Sequence, residues 1–352
     1  MMRAAVFHRE GSLLALEDRQ TPTARPGELV LKVAYCGICG TDLHATEKSA
    51  IPLQPGTVLG HEFSGTVAGS AAAGWQPGDR IIGLPLRECD ECRPLGGCRD
   101  RLGILCNRTM VIGLAADAPG GYAEYLTLPA HNALRVPDSL DLRDAALTEP
   151  LSVGAHAVRL GGGLFGARVL VIGAGPIGLA VTMFARAAGA RHLVVSEPEP
   201  ARRDRAARLG AGATIDPAAE QVGTAFARIA GGAPDVIFEC VGAPGLLRQC
   251  IDLAPVHGRI VVVGVCRHED TILPRIAIRK ELTVQFALGY TREEFALVLE
   301  MLAARRIDAS ALVSDVIGLD ALPETFESLR RPNPRAKVLI EPGRWGGSAT
   351  AR

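Results

Sequence analysis

The chain has 352 residues, 48% of them hydrophobic, with Lys+Arg and Asp+Glu balanced at 38 each. That length predicts about two domains, the hydrophobic share excludes a disordered chain, and the charge balance offers no basic face to nucleic acid or a membrane surface. No apolar run reaches the roughly 18 residues of a spanning helix, and the opening MMRAAVFHRE lacks an apolar signal core, so a cytoplasmic protein is expected.

Residues 1 to about 150 carry short β-type runs punctuated by Gly and Pro: AAVF (4–7), ELVLKVAY (28–35), EFSGTVAG (62–69), DRIIGLPL (79–86) and YAEYLTLP (122–129). They predict a mostly β, barrel-like domain. From 152 to about 287 the pattern alternates. RVLVIG (168–173), HLVVSE (192–197), ATI (213–215), DVIFEC (235–240), RIVVVG (259–264) and LTVQFA (282–287) read as buried parallel strands with helical runs between them. Six such strands predict an α/β doubly wound sheet. Beyond about 290 come a helical run, REEFALVLEMLAARRI, a shorter helix, LPETFESLRR, and a strand, AKVLIEP.

The strand at 169–172 runs directly into Gly173-Ala-Gly175-Pro176-Ile177-Gly178, which opens a helix. The first glycine permits the tight turn, the second lets the backbone approach a pyrophosphate, and the third lets the helix pack on the strand. The helix N-terminus then offers free N–H groups to phosphate. Strand, turn and helix together predict a Rossmann dinucleotide site. Glu197 ends the next strand, where a carboxylate accepts from ribose hydroxyls and repels a 2′-phosphate; NAD is therefore expected over NADP. Arg202 and Arg203 follow closely and offer a competing place for that phosphate.

Nine cysteines are present, and Cys89, Cys92, Cys98 and Cys106 fall within 18 residues. Local clustering and an odd total point to metal rather than disulfides. Four thiolates in one loop suit a closed structural zinc site. A second set is spread out: Cys39 in CGICGTDLH, then His61 and Glu62 in LGHEFSG. A thiolate, an imidazole and a carboxylate suit a zinc ion that keeps an open position for chemistry.

Taken in order, ICGTDLH (38–44), GHEFSGTV (60–67), the four-Cys loop, PGDRIIG (77–83), GGYAEY (120–125), EPLSVGAHAV (149–158), VLVIGAGPIGLA (169–180) and AKVLIEP (336–342) resemble the zinc-dependent medium-chain dehydrogenases, near the alcohol, polyol, 2,3-butanediol and threonine enzymes. The resemblance covers nearly the whole chain. It implies a GroES-like catalytic domain over 1–151, completed by 288–352, with the Rossmann domain over 152–287 inserted and zinc in the cleft. By position it makes Cys39 and His61 zinc ligands. The third is Glu149 of EPLSVG, with Glu62 as its competitor: the two exchange, or one reaches the metal through water. Thr41 and His44 match a proton-relay pair, and Asp42 the carboxylate that orients the histidine, with Lys337 as its basic partner. One departure is the five residues Arg-Pro-Leu-Gly-Gly between Cys92 and Cys98, where the family commonly has two.

The implied activity is hydride transfer between a secondary alcohol or polyol, or its ketone, and NAD. Threonine or 2,3-butanediol as substrate, or an NADP-preferring alcohol dehydrogenase, are the alternatives within the family. An inactive zinc- and nucleotide-binding protein is the alternative outside it, and should have lost Cys39, His61 or Thr41. A homo-oligomer, a tetramer before a dimer, is expected, with LTVQFALGY (282–290) at the sheet edge.

Overall fold

The computed structural model describes residues 1–47, 53–87 and 109–344. Cys89, Cys92, Cys98 and Cys106, and with them the expected structural zinc loop, lie outside the described residues. The chain divides into two compact units: Met1–Glu149, Thr291–Arg306 and Val313–Arg352 form the first, Pro150–Tyr290 and Ile307–Leu312 the second.

The first unit is built around one long strand, Glu28–Gly37. Its run of apolar residues is mostly buried, with Ala34 and Tyr35 half-buried and Lys32 outward, so it sits centrally rather than at an edge. Glu62–Ser70 pairs antiparallel along one side of it, and Tyr125–Pro129 along the other. Farther along, Leu339 and Ile340 of the strand Lys337–Glu341 pair with Gly37 and Cys36. The far end of the chain thereby closes the sheet begun near its start. Val313–Gly318 then adds in parallel to Lys337–Glu341. The core beneath holds Leu31, Phe63, Tyr122, Phe326 and Ile340. Helix Arg292–Ala303 begins with a reciprocal cap: Glu294 N–H donates to the Thr291 hydroxyl, and Thr291 N–H to the Glu294 carboxylate.

The second unit is a six-stranded, wholly parallel sheet. Its strands stand side by side in the order Ala213–Ile215, His192–Ser196, Arg168–Ile172, Val236–Glu239, Arg259–Val262 and Thr283–Phe286. The chain winds outward from Arg168–Ile172 in one direction, then returns to its other side with Val236–Glu239. That reversal opens the crevice where such sheets bind ligands.

Helix Thr148–Leu160 begins two residues before the entry expected at Pro150, and helix Pro274–Lys280 was missed. The first carries Pro150 in its opening turn and Gly154 at its middle, which masks its period. Gly154 is there for packing: a Cβ would stand 2.6 Å from that of Ala180. The parallel strand Val313–Gly318 was also missed; its residues are all half-buried, and no alternation marks it.

Candidate active site

Three sequence-nominated side chains meet in the first unit. Ligand atoms of Cys39, His61 and Glu62 lie within 4.8 Å of one another. Cys39 is the N-cap of the short helix Gly40–Ala45. Asp42, at the third helical position, reaches back and accepts the Cys39 N–H at 3.1 Å. This cap locks the thiol's backbone and buries Asp42 completely.

Asp42 is the centre of the arrangement. Its Oδ2 also accepts the Tyr122 hydroxyl at 2.7 Å. Its Oδ1 stands 3.2 Å from His61 Nδ1, a charge contact whose angle falls short of a hydrogen bond. Burial alone would raise the Asp42 pKa, but His61, Tyr122 and the Cys39 N–H outweigh it and the net shift is downward. His61 is pushed the other way. Burial disfavours its charged form, yet the charges of Asp42 and Cys39 hold its pKa well above the usual value. Tyr122 stays a donor, because burial and then the Asp42 charge push its pKa well up.

Glu62 is also buried, and both its oxygens accept Lys337 Nζ, at 2.6 and 2.7 Å. Lys337 Nζ donates as well to the Ile38 carbonyl at 3.0 Å. The expectation that Lys337 pairs with Asp42 is therefore corrected: Asp42 is filled by Tyr122, Cys39 and His61, and strand pairing at Cys36 and Gly37 sets Lys337 over Glu62. Burial works against the Lys337 charge, but Glu62, Cys39 and then Glu149 outweigh it and raise its pKa.

Neighbouring strand residues point to opposite faces, so His61 and Glu62 should diverge. They converge because the strand begins only at Glu62, and Gly60, at φ +97°, turns the chain just before His61. Glu149 lies half-buried in the first turn of Thr148–Leu160, outside the three-residue group. Thr41 and His44 are exposed, three apart on the helix Gly40–Ala45 and hence on one face.

A metal fits this pocket on its own chemistry. A thiol, an imidazole and a carboxylate converge, and the buried His61 draws a proton that a bound cation would replace.

In the second unit, a cavity of about 480 Å³ is lined by Gly173, Gly175, Glu197, Arg202, Cys240 and Val241, among others. Gly175 caps the helix Pro176–Ala187, with Pro176 and Ile177 half-buried in its first turn. Gly178 has no room for a side chain, since a Cβ would stand 2.0 Å from the Gly173 carbonyl oxygen. Glu197 is buried and braces the turn: it accepts the Ala174 N–H at 2.7 Å and the Glu199 N–H at 3.0 Å. The two arginines part company. Arg203 donates to the carbonyls of Glu197 and Pro198 and pairs with Asp216 at 3.2 Å. Arg202 lines the cavity, and its buried Nε has no partner.

Sequence reasoning missed Glu239. Its carboxylate accepts the N–H groups of Val241 and Gly242, at 2.7 and 2.9 Å, and so shapes a wall of the cavity. The available signal was its place at the end of the strand beside Arg168–Ile172.

Residues 25–138 match the family described as alcohol dehydrogenase GroES-like domain, and residues 176–304 the family described as zinc-binding dehydrogenase. The (R,R)-butanediol dehydrogenase of Bacillus subtilis (strain 168) is 33% identical over 97% of this chain and 100% of its own length. An L-threonine 3-dehydrogenase of Mesorhizobium japonicum is 32% identical over 97% and 99%. A zinc-binding dehydrogenase of Sinorhizobium meliloti 1021, solved bound to NADP, superposes with a TM-score of 0.88 at 33% identity, over 97% of this chain and 99% of that one. Among the described residues no helix is long and apolar enough to cross a membrane. The chain therefore belongs to the zinc-dependent medium-chain dehydrogenases, and it is an NAD(P)-linked oxidoreductase of alcohols.

Proposed function

We propose that the protein oxidises a secondary alcohol that carries a neighbouring hydroxyl, a vicinal diol or polyol, with NAD, and reduces the corresponding ketone. The observation that carries the reading is the convergence of Cys39, His61 and Glu62 within 4.8 Å, with Asp42 behind His61. A butanediol dehydrogenase at 33% identity and a threonine dehydrogenase at 32%, each alike along nearly the whole chain, make the diol and threonine the substrates to set against each other. When bound, zinc supplies the Lewis acidity that acidifies an alcohol hydroxyl, and the nicotinamide supplies the hydride acceptor.

Cys39 and His61 would hold the metal, with Glu149, whose charge reaches Lys337, as the third ligand. Glu62 is kept from it by Lys337, which engages both carboxylate oxygens, and serves as the exchanging ligand. Asp42 orients the imidazole. Thr41 Oγ1 receives the substrate proton and His44 passes it to water, both being on the exposed face of their helix. Gly173, Gly175 and the N-terminus of Pro176–Ala187 would cradle the pyrophosphate, and Glu197 would accept from the adenine ribose hydroxyls.

The protein is a cytoplasmic homo-oligomer, a tetramer. Free thiols at Cys36, Cys39, Cys240, Cys250 and Cys266 suit a reducing compartment. Strand Thr283–Phe286 ends the parallel sheet, with Phe286 and Leu288 exposed beside it, and a second copy there would cover the edge. Light scattering that finds a stable monomer overturns this assembly.

Initial rates across secondary alcohols, 2,3-butanediol, polyols and threonine, with NAD and NADP, test the substrate. The highest kcat/KM is expected for a diol with NAD; threonine or NADP in first place would replace the reading. Glu149→Ala should lower zinc content or turnover at least tenfold, about 1.4 kcal/mol in barrier. Full zinc and full activity in that variant would pass the third place to Glu62.

A further inference from the structure

We propose that the Tyr122 hydroxyl is a positioning group for the metal, fixing Asp42 and through it the imidazole of His61. The proposal rests on the reading of Cys39 and His61 as ligands, and adds a residue that this reading does not contain.

Tyr122 is fully buried; its hydroxyl reaches Asp42, and its ring lies against Gly60, the residue before His61. Its hydroxyl donates to Asp42 Oδ2 at 2.7 Å, the oxygen that also accepts the Cys39 N–H at 3.1 Å. Two donors on one oxygen fix the rotation of the carboxylate. The other oxygen, Oδ1, is thereby presented to His61 Nδ1 at 3.2 Å. Asp42 is itself completely buried, so a lost donor would not be replaced by bulk water.

The ring has a separate task. It lies against Gly60, the residue that turns the chain into His61, and a Cβ at Gly60 would stand 2.4 Å from it. The Tyr122 N–H donates to the Leu59 carbonyl at 2.9 Å, and the Gly121 N–H to the Gly60 carbonyl at 2.8 Å. Phe326 packs edge-on against the ring, with centroids 6.3 Å apart. Tyr122→Phe keeps all of these contacts and removes the hydroxyl alone. The carboxylate partner of a ligating histidine sets ring orientation and basicity, and disturbing such partners weakens metal binding about 10- to 100-fold.

The experiment is equilibrium competition for zinc between the holoenzyme and a chromophoric chelator, in wild type, Tyr122→Phe, Asp42→Asn, their double variant and Cys39→Ser. Zinc missing from Cys39→Ser defines the site and separates it from zinc held elsewhere in the chain. We expect that zinc to bind at least tenfold more weakly in Tyr122→Phe and in Asp42→Asn. In the Asp42→Asn background, the tyrosine change should add less than twofold, because its effect runs through Asp42. A merely structural role would lower the thermal midpoint and leave zinc affinity alone. Affinity within twofold of wild type in Tyr122→Phe overturns the proposal, and so does the same result in Asp42→Asn should Tyr122→Phe not fold. Full zinc in Cys39→Ser overturns the ligand assignment and the proposal with it; loss of zinc there with unchanged Tyr122→Phe sinks the proposal alone.

Discussion

The two pockets are built by opposite means. In the first unit, buried side chains hold one another, Lys337 on Glu62, Tyr122 on Asp42 and Asp42 on His61, with one backbone donor, the Cys39 N–H, on Asp42. In the second, the glycine turn and the helix N-terminus offer backbone N–H groups, and the Glu197 and Glu239 carboxylates hold that backbone in shape. A metal demands particular ligand atoms, whereas phosphates accept any well-aimed N–H. The first pocket should therefore break when a side chain is cut back, the second when one is added.

The largest expected effect is at Lys337. Lys337→Met strands a buried carboxylate beside the thiol, and removing one partner of a buried pair costs about 3–5 kcal/mol. Urea unfolding should show that loss, and Glu62→Gln in the same chain should recover most of it. A loss below about 1 kcal/mol would mean that the pair is not what holds this pocket. The matching insertion is Gly178→Ala. Its methyl would meet the Gly173 carbonyl oxygen at 2.0 Å, so helix and turn must separate. Overpacking of this kind costs about 1–3 kcal/mol. NAD affinity measured by calorimetry should fall at least tenfold, while zinc content stays at the wild-type level. Loss of zinc with retained NAD binding would reverse the contrast.

How legible each pocket was follows from the same difference. The nucleotide turn is local in sequence: strand, glycines and helix follow one another over 169–187, and every strand of the parallel sheet was placed within a residue or two. Cys39, His61 and Glu62 were legible as residue types with metal chemistry. That the adjacent His61 and Glu62 face one point was not, because it depends on Gly60 turning the chain and on the strand starting one residue late. The assignment of Lys337 to Asp42 failed for a related reason. Position along the chain shows that a lysine enters this pocket, but the pairing of Leu339 with Gly37 decides which carboxylate it meets. Tyr122 was passed over because tyrosine is not among the usual zinc ligands, and Glu239 because no motif marks it; each acts on a group that shapes its pocket.

The smallest expected effect separates backbone from side-chain support at a third place, the start of the parallel sheet. The Arg168 guanidinium bonds Asp235 at 2.7 Å, and the Arg168 N–H donates to the same carboxylate at 2.8 Å. The guanidinium holds Asp235 below the usual carboxylate range against the pull of partial burial, and the backbone N–H adds to it. A carboxylate lowered in the folded state contributes stability that is complete above its unfolded pKa, about 3.9, and is lost as pH falls through the lower folded value. The side chains are 33% and 42% exposed, so solvent screening limits the pair to about 0.2–1 kcal/mol. Asp235→Ala should cost more than Arg168→Ala, because the arginine variant keeps the backbone donor. Thermal midpoints measured from pH 6 down to pH 3 should converge between wild type and Asp235→Ala only below about pH 4. Convergence already at pH 5 would show that Asp235 is not held down by these donors.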